Sequence, residues 1–262
     1  TWNLWHQGRI DGLFDRLIGT MVASGRVDPD RVYLMGYSAG GDGVYQLAPR
    51  MADRFAAASM MAGHPNEAQP IGLRNLPFAI FMGADDAAFD RNTVAQEWGD
   101  RLAELRTTDP NGYEHLVRIY EGLGHWMDRR DAEALPWMAG FRRNAWPDRV
   151  VWRQDDVLRD RFYWLAVPTG SAEAGDTVVA SVVGQTIVIE RCDATTLRLR
   201  LRDTLIDLDL PIRVVLRTAN DDGERAAAQT LFEGRVPRTR AAIEASITDR
   251  LDAPAAATAL LE

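Results

Sequence analysis

The chain has 262 residues, of which 46% are hydrophobic and 26% are charged, and this composition excludes disordered, collagen-like and coiled-coil proteins. The formal charge of -8 is divided equally between residues 1–144 and 145–262, so neither half is a basic arm for nucleic acid or an anionic membrane. All 30 positive charges are arginines. A chain without lysine cannot form a Schiff base, hold pyridoxal phosphate through lysine or build a Walker-type phosphate loop.

The remaining composition indicates neither a metal site nor a membrane segment. The single Cys192 cannot form an intramolecular disulfide, and the four histidines lack metal-ligand spacing. The longest apolar stretches, residues 55–62 and 78–82, are far shorter than the roughly 20 residues of a membrane helix, so we expect a soluble chain. The sequence begins at Thr1 without a signal-peptide pattern, from which we expect a cut start. The compartment stays open, with the cytoplasm favoured.

Residues 10–142 alternate between helical and strand patterns, as in a parallel sheet covered by helices. The first helix is predicted over residues 11–24, with one apolar face formed by Leu13, Leu17, Met21 and Val22. Buried strands are predicted at residues 32–35, 55–61, 78–82 and 116–120. Further helices are predicted after Gly40, along Val94, Trp98, Leu102 and Leu105 with Asn92 as N-cap, and along Leu135, Trp137, Met138 and Phe141. These elements make four β-α units.

After Asn144 the sequence becomes rich in short strand patterns. Residues 146–148 form a break, so we predict two domains, 1–144 and 145–262. Strands are predicted at residues 150–152, 162–167, 177–183, 186–189, 196–201, 212–216 and 230–232. A turn is expected at residues 183–185, and a helix over 239–251 is expected to pack through Ile243, Ile247 and Leu251. The second domain should be a small antiparallel sheet or sandwich with one helix.

A G-x-S-x-G motif lies between a predicted strand and a predicted helix. Its residues are Gly36, Tyr37, Ser38, Ala39 and Gly40, and this context is typical of a nucleophile elbow. A serine on such a turn exposes its Oγ from a strained backbone, and small neighbours let the strand and helix approach. The helix N-terminus favours a developing oxyanion. The alternative is a glycine-rich turn with a serine that has no chemical role.

A serine nucleophile needs a histidine and a carboxylate, and both follow in chain order. Asp85 and Asp86 come directly after the third predicted strand, and His125 follows the fourth. The carboxyl ends of parallel strands are where open α/β sheets bind ligands. Asp86 is preferred because the acid of such sequences usually stands three residues after the glycine that closes the strand, and Asp85 is the alternative. His115 begins a strand at the opposite end and is interpreted as structural.

On these motifs, residues 1–144 resemble the second half of an α/β-hydrolase of the dienelactone hydrolase, carboxylesterase and polyhydroxybutyrate-depolymerase-like group. The resemblance covers a little over half of the chain. It implies a partial α/β-hydrolase sheet made of the last four strands, with Ser38 as nucleophile, Asp86 as acid and His125 as base. The backbone N–H of Ala39 would be one oxyanion donor. The β-rich remainder resembles accessory domains only loosely.

This sequence departs from the family in two features: it has neither the four earlier strands nor an oxyanion loop of the His-Gly-Gly-Gly type. We therefore expect a fragment of a longer protein in which the first strand has lost a neighbour and become an uncovered apolar edge. The second oxyanion donor would be missing, and the loss of one such donor typically costs about 2.7 to 4 kcal/mol of transition-state stabilisation.

Three residues near the expected triad are candidates for substrate binding: Tyr37, Trp126 and His64. Trp126, next to the base, would wall the acyl or leaving-group site. Residues 1–6 should lie near the same sheet edge, and Asn66 and Glu67 accompany His64. The structural alternatives are that the tryptophans are packing anchors and that His64, before Pro65, fixes a turn.

The sequence thus predicts a serine hydrolase that cleaves small or polymeric carboxylic esters through an acyl-enzyme, with no cofactor and no metal. No nucleic-acid partner is expected, and the oligomeric state stays open. One alternative is a peptidase or amidase of the prolyl-oligopeptidase type, which would use the same triad. The other is a degenerate hydrolase that acts as a binding protein, whose β-rich domain recognises a carbohydrate or another partner.

Overall fold

The computed structural model describes residues 4–217 and 228–262. The chain divides into two compact units, Thr1–Asn144 and Ala145–Glu262. The boundary falls at the compositional break that follows Asn144. Within the described ranges, no helix is both long and apolar enough to cross a lipid bilayer.

Strands and helices alternate along the first unit. The elements are α1 (Gly8–Ala23), β1 (Tyr33–Tyr37), α2 (Ala39–Arg50), β2 (Ala57–Met61), β3 (Phe78–Gly83), α3 (Arg91–Thr108), β4 (His115–Tyr120) and α4 (Ala134–Ala139). In the described part of this unit, the strands form a four-stranded parallel sheet in the order β1-β2-β3-β4. The α/β class and the four parallel strands predicted from the sequence are confirmed.

The register of this sheet brings the carboxyl ends of its strands to one edge. Tyr37 pairs with Met61, Met61 with Phe81, and Gly83 with Tyr120. Every residue of β2 and β3 is buried, as expected for central strands covered on both faces. The loops that follow β1, β3 and β4 therefore leave the sheet at the same edge.

Helix α1 buries a different face from the apolar one that the sequence predicts. Leu13, Leu17 and Met21 are exposed in the described structure, whereas the buried face includes Asp11 and Ile18. The physical reason is an ion pair: Asp11 Oδ1 lies 2.8 Å from Arg50 Nη2, and both side chains are buried. A buried guanidinium requires a carboxylate, and this requirement sets the orientation of α1.

The start of α3 also differs from the prediction. Its N-cap is Asp90, in the left-handed region with φ 56°, and Asn92 lies inside the helix. The Asn92 carboxamide donates to the carbonyl of Ala84 at 2.7 Å. Asn92 therefore ties the first turn of α3 to the end of β3 instead of capping the helix. Helix α4 ends at Ala139, so Phe141 lies beyond it.

The second unit is rich in short strands. Its elements are β5 (Arg149–Arg153), β6 (Arg161–Phe162), β7 (Leu165–Ala166), β8 (Thr177–Val183), β9 (Thr186–Cys192), β10 (Arg198–Leu201), β11 (Ile212–Leu216), β12 (Gln229–Gly234), α5 (Arg240–Arg250) and β13 (Ala259–Leu261). Over its described residues they form two sheets, in the orders β13-β10-β7-β6 and β12-β11-β9-β8-β5. The β-rich character and the helix are confirmed, but β9 and β11 pair in parallel, so the larger sheet is not purely antiparallel.

Helix α5 packs through another face than predicted. Ile243, Ile247 and Leu251 are exposed, and the buried positions are Ala242, Ser246 and Arg250. Ser246 accepts a hydrogen bond from Arg200 at 3.1 Å, so polar contacts hold this face of the helix. Strand β13 lies in the Ala-rich end of the chain, where the sequence predicts no strand.

Candidate active site

The turn between β1 and α2 holds Ser38 in a strained conformation. Its φ is 57° and its ψ is -122°, a backbone conformation that residues other than glycine rarely adopt. A Cβ at Gly36 would lie 2.1 Å from the carbonyl oxygen of Gly40, so only glycine allows the strand and the helix to approach this closely. The backbone N–H of Ser38 donates to Met61 O at 2.8 Å. The motif therefore forms a sharp strand-to-helix turn, called the elbow below, that is tied to the neighbouring strand.

The loop after β3 presents Asp86, and not Asp85, to the histidine. The Asp86 side chain is 2% exposed, and its Oδ2 lies 2.7 Å from His125 Nδ1. Its N–H donates to Gly83 O at 3.1 Å, which closes a tight turn. Asp85 is exposed to solvent. A Cβ at Gly83 would lie 2.1 Å from Gly124 O, so glycine at this position lets the loops that carry the acid and the histidine come together.

His125 joins the other two side chains. Its Nε2 lies 3.0 Å from Ser38 Oγ, while Nδ1 faces Asp86. A carboxylate beside Nδ1 keeps the ring proton on that nitrogen, which leaves Nε2 as the acceptor for the serine proton. The ring is 40% exposed, whereas the acid is buried. The arrangement is a relay in which a hydroxyl, an imidazole and a carboxylate are in hydrogen-bond contact.

Tyr37 supports the loop that carries His125. Its hydroxyl donates to the backbone carbonyl of His125, and its ring lies 5.4 Å from the imidazole and 6.2 Å from the Trp126 ring. Burial raises the pKa of the Tyr37 phenol, and the carboxylates of Asp131 and Asp86 raise it further. The phenol therefore keeps its proton, and its hydrogen bond, across the neutral range. Trp126 is 60% exposed and lies on the surface beside the histidine.

His64 lies in the loop after β2, where it is bonded to its neighbours. Its backbone N–H donates to Asp42 Oδ1 at 2.7 Å, and its Nδ1 accepts from the N–H of Asn66 at 2.9 Å. A cavity of about 190 Å³ opens here, lined by Asp42, His64, Asn66, Phe89 and Arg91. No sequence motif indicated that Asp42, Phe89 and Arg91 belong to this site. Their signal was position only: Asp42 stands one helical turn after Ser38, and the other two follow Asp86 closely.

Arg91 connects this cavity to the acid. Its Nη1 lies 3.9 Å from Asp86 Oδ1 and donates to Ala88 O at 3.2 Å. The centre of its guanidinium is 4.9 Å from the centroid of the Phe89 ring. A positive charge thus faces the carboxylate oxygen of Asp86 that His125 does not use.

The segment before α1 contacts the elbow. Trp5 Nε1 donates to Ala39 O at 2.8 Å, and a Cβ at Gly43 would lie 2.8 Å from the Trp5 ring. Residues 1–3 and the side chain of His6 lie outside the described residues. Ala39 is the first residue of α2, so its N–H has no acceptor within the helix and is suited to an oxyanion. The described residues contain no group of three or more His, Cys, Asp or Glu that could hold a metal ion.

No protein-family model and no curated protein sequence matches this chain. Similar solved structures include a thermostable esterase, with 19% identity over 52% of this chain and 38% of that chain and a TM-score of 0.39. They also include a SOBER1 variant from Arabidopsis thaliana, with 17% identity over 49% of this chain and 61% of that chain and a TM-score of 0.36. A third is a ferulic acid esterase, with 20% identity over 47% of this chain and 58% of that chain and a TM-score of 0.35. The chain spans between 38% and 61% of these structures.

Proposed function

We propose that this protein is a serine hydrolase that cleaves small or polymeric carboxylic esters. The observation that carries the proposal is the relay of Ser38, His125 and Asp86, with contacts of 3.0 Å and 2.7 Å. In this proposal, residues 1–144 are the C-terminal half of an α/β-hydrolase catalytic domain, and residues 145–262 are an accessory domain. A degenerate hydrolase would be expected to have lost part of this relay, so its completeness supports catalysis over a purely binding role.

The proposed reaction begins when Ser38 Oγ attacks the ester carbonyl carbon and its proton passes to His125 Nε2. Asp86 holds the imidazole in place and stabilises the imidazolium that forms. The backbone N–H of Ala39, at the positive end of α2, donates to the developing oxyanion. Collapse of the tetrahedral intermediate breaks the C–O bond, and the alcohol leaves with the proton from Nε2.

The acyl-enzyme is then hydrolysed by the same groups. His125 Nε2 accepts a proton from water, the hydroxide oxygen attacks the acyl carbon, and the second tetrahedral intermediate expels Ser38 Oγ. The proton returns to the serine, and the free carboxylic acid departs. Each step needs Nε2 within hydrogen-bond reach of the reacting oxygen, which the 3.0 Å contact to Ser38 provides.

The test is active-site labelling of the full-length protein with a fluorophosphonate. We expect one label on Ser38, none in Ser38→Ala, and undiminished labelling in Ser24→Ala, because Ser24 is an exposed serine remote from the relay in sequence. Esterase activity should disappear with the label. Labelling that persists in Ser38→Ala, with unchanged esterase activity, would refute the proposal. Paired ester and amide substrates with the same acyl group would separate an esterase from an amidase.

A further inference from the structure

The cavity lined by Asp42, His64, Asn66, Phe89 and Arg91 is not used by the proposed reaction, yet one of its lining residues faces the acid. Arg91 Nη1 lies 3.9 Å from the Asp86 carboxylate, and Asp42 stands in the first turns of α2, the helix that Ser38 precedes. A group held in this cavity therefore contacts the arginine that faces Asp86. We call this cavity the lateral cavity.

The residues that line the lateral cavity offer both hydrogen-bond donors and acceptors. His64 Nδ1 accepts from the N–H of Asn66, so a neutral ring carries its proton on Nε2 and donates from there. Asp42 uses Oδ1 for the His64 N–H, and its carboxylate has a second oxygen as acceptor. The Arg91 guanidinium carries five N–H donors, of which Nη1 donates to Ala88 O.

Phe89 adds an aromatic surface to the lateral cavity. Its side chain is 71% exposed, although its backbone has a φ of 59° and that of Asp90 has a φ of 56°. Two consecutive left-handed residues, one of them bulky, are a strained arrangement, and strain of this kind clusters at ligand sites. The Arg91 guanidinium lies over the ring, and most of the aromatic surface is open to solvent.

The combination selects among ligand classes. A carboxylate would be attracted by Arg91 but repelled by Asp42, and Asp86 already neutralises part of the arginine charge. An alkyl chain would leave the polar walls without partners. A hydroxylated ring fits both features, because each hydroxyl can donate and accept, while the C–H face of the ring packs on Phe89. We infer that the lateral cavity binds one sugar ring, so that, given the proposed esterase function, the substrate is an acylated saccharide.

Binding is tested first, because it does not depend on turnover. In full-length Ser38→Ala protein, xylobiose and cellobiose are titrated by calorimetry, with butyrate as the acyl-type competitor. We expect at least one disaccharide to bind and butyrate not to displace it. Asn66 and Phe89 are replaced by glycine because glycine adopts their positive φ without strain. Asn66→Gly and Phe89→Gly should each weaken disaccharide binding about tenfold. Phe89→Tyr should retain it, because the aromatic surface remains.

Gln69→Ala is the matched control, since Gln69 is an exposed amide in the same loop outside the cavity. It should leave the affinity unchanged. Absence of disaccharide binding, displacement by butyrate, or equal affinity in the glycine variants would overturn the inference. Binding that behaves as expected in a protein that Ser38 labelling shows to be inert would refute the esterase proposal and leave the sugar site standing.

Catalysis gives the second readout. With acetylated xylobiose, kcat/KM should fall about tenfold in Phe89→Gly through a higher KM, whereas Gln69→Ala should leave both constants within about twofold. A loss confined to kcat would show that the loop supports the relay and does not select the sugar, and this result would also overturn the inference.

Discussion

The guanidinium of Arg91 lies 3.9 Å from Asp86 Oδ1, the oxygen that faces away from His125, whose Nδ1 contacts Oδ2 at 2.7 Å. The acid is therefore placed between two positively charged or proton-bearing groups. The Asp86 side chain is 2% exposed and that of Arg91 is 14% exposed, so water screens this contact only in part. The orientation of the Asp86 carboxylate should therefore depend on Arg91.

Removal of the Arg91 charge should lower catalytic efficiency. In Arg91→Gln, the Asp86 oxygen that faces away from His125 loses its charged neighbour, so the carboxylate should be held less firmly and kcat/KM should fall by a factor of about three. Arg91→Lys, which keeps the charge, should lose less. The measurement is steady-state kinetics with 4-nitrophenyl acetate. An unchanged kcat/KM in Arg91→Gln would show that this arginine does not help to position the acid.

The two neighbouring acids should behave differently when neutralised. Asp86→Asn should lower kcat by a factor of about 10⁴, because the amide cannot hold the imidazole in the required tautomer. Asp85→Asn should stay within about twofold, since the Asp85 side chain is exposed. Steady-state kinetics of the two variants decides between them, and a large loss in Asp85→Asn alone would reverse the assignment.

Two glycines of the elbow should respond in opposite ways to alanine. A Cβ at Gly36 would lie 2.1 Å from a backbone oxygen, whereas one at Gly40 would meet nothing within 4 Å. Gly36→Ala should therefore lower the free energy of unfolding by about 3 kcal/mol or more. Gly40→Ala, in the first turn of α2, should be neutral or stabilising by up to about 1 kcal/mol. Urea midpoints of both variants, in parallel, provide the check.

The buried ion pair between Asp11 and Arg50 should be sensitive to the loss of its carboxylate. Asp11→Asn leaves a buried guanidinium without a counter-charge and should cost about 3 to 5 kcal/mol of stability. Glu104→Gln, which breaks the exposed pair with Arg101, should cost less than about 1 kcal/mol. The difference between their unfolding midpoints is the measurement, and equal midpoints would contradict the orientation of α1 described above.

Tyr37 should titrate at unusually high pH. Burial, with Asp131 and Asp86, raises the pKa of its phenol, and Arg91 opposes them. Because the folded-state pKa lies above the unfolded value of about 10, the stabilisation is complete below that pH and is lost as pH rises through the folded value. In an ultraviolet titration, Tyr37→Phe should form one phenolate fewer than the unsubstituted protein, and the missing phenolate should be one of those that form at the highest pH. A missing phenol at the ordinary position would contradict the burial of this group.

Much of the site was predictable because its signals are local. A short apolar run followed by Gly36, Tyr37, Ser38, Ala39 and Gly40 indicates a strand, a sharp turn and a helix. In a sheet of successive parallel strands, residues that follow the strands share one edge, so the order of serine, acid and histidine along the chain already places them together. The boundaries of β8 and β11 follow equally well from alternating and β-branched residues.

Other features depended on contacts between residues far apart in sequence. The preference for Asp86 over Asp85 had only a spacing rule behind it, and the turn at Gly83 decides which carboxylate faces inward. The exposed leucines of α1, the polar buried face of α5 and the parallel pairing of β9 with β11 each reflect a partner elsewhere in the fold. The lateral cavity is of the same kind, since α2, the segment after β2 and the segment from Phe89 to the start of α3 all contribute to it.

The sequence by itself determined the α/β order, the elbow and the chain order of the three relay residues, because hydrophobic periodicity and glycine sterics act over a few neighbouring residues. Only the tertiary structure decided which face of each helix is buried and that Phe89, Arg91 and His64 line one cavity. Those choices depend on which buried charge or polar group finds a partner, and no short stretch of sequence contains both members of such a pair.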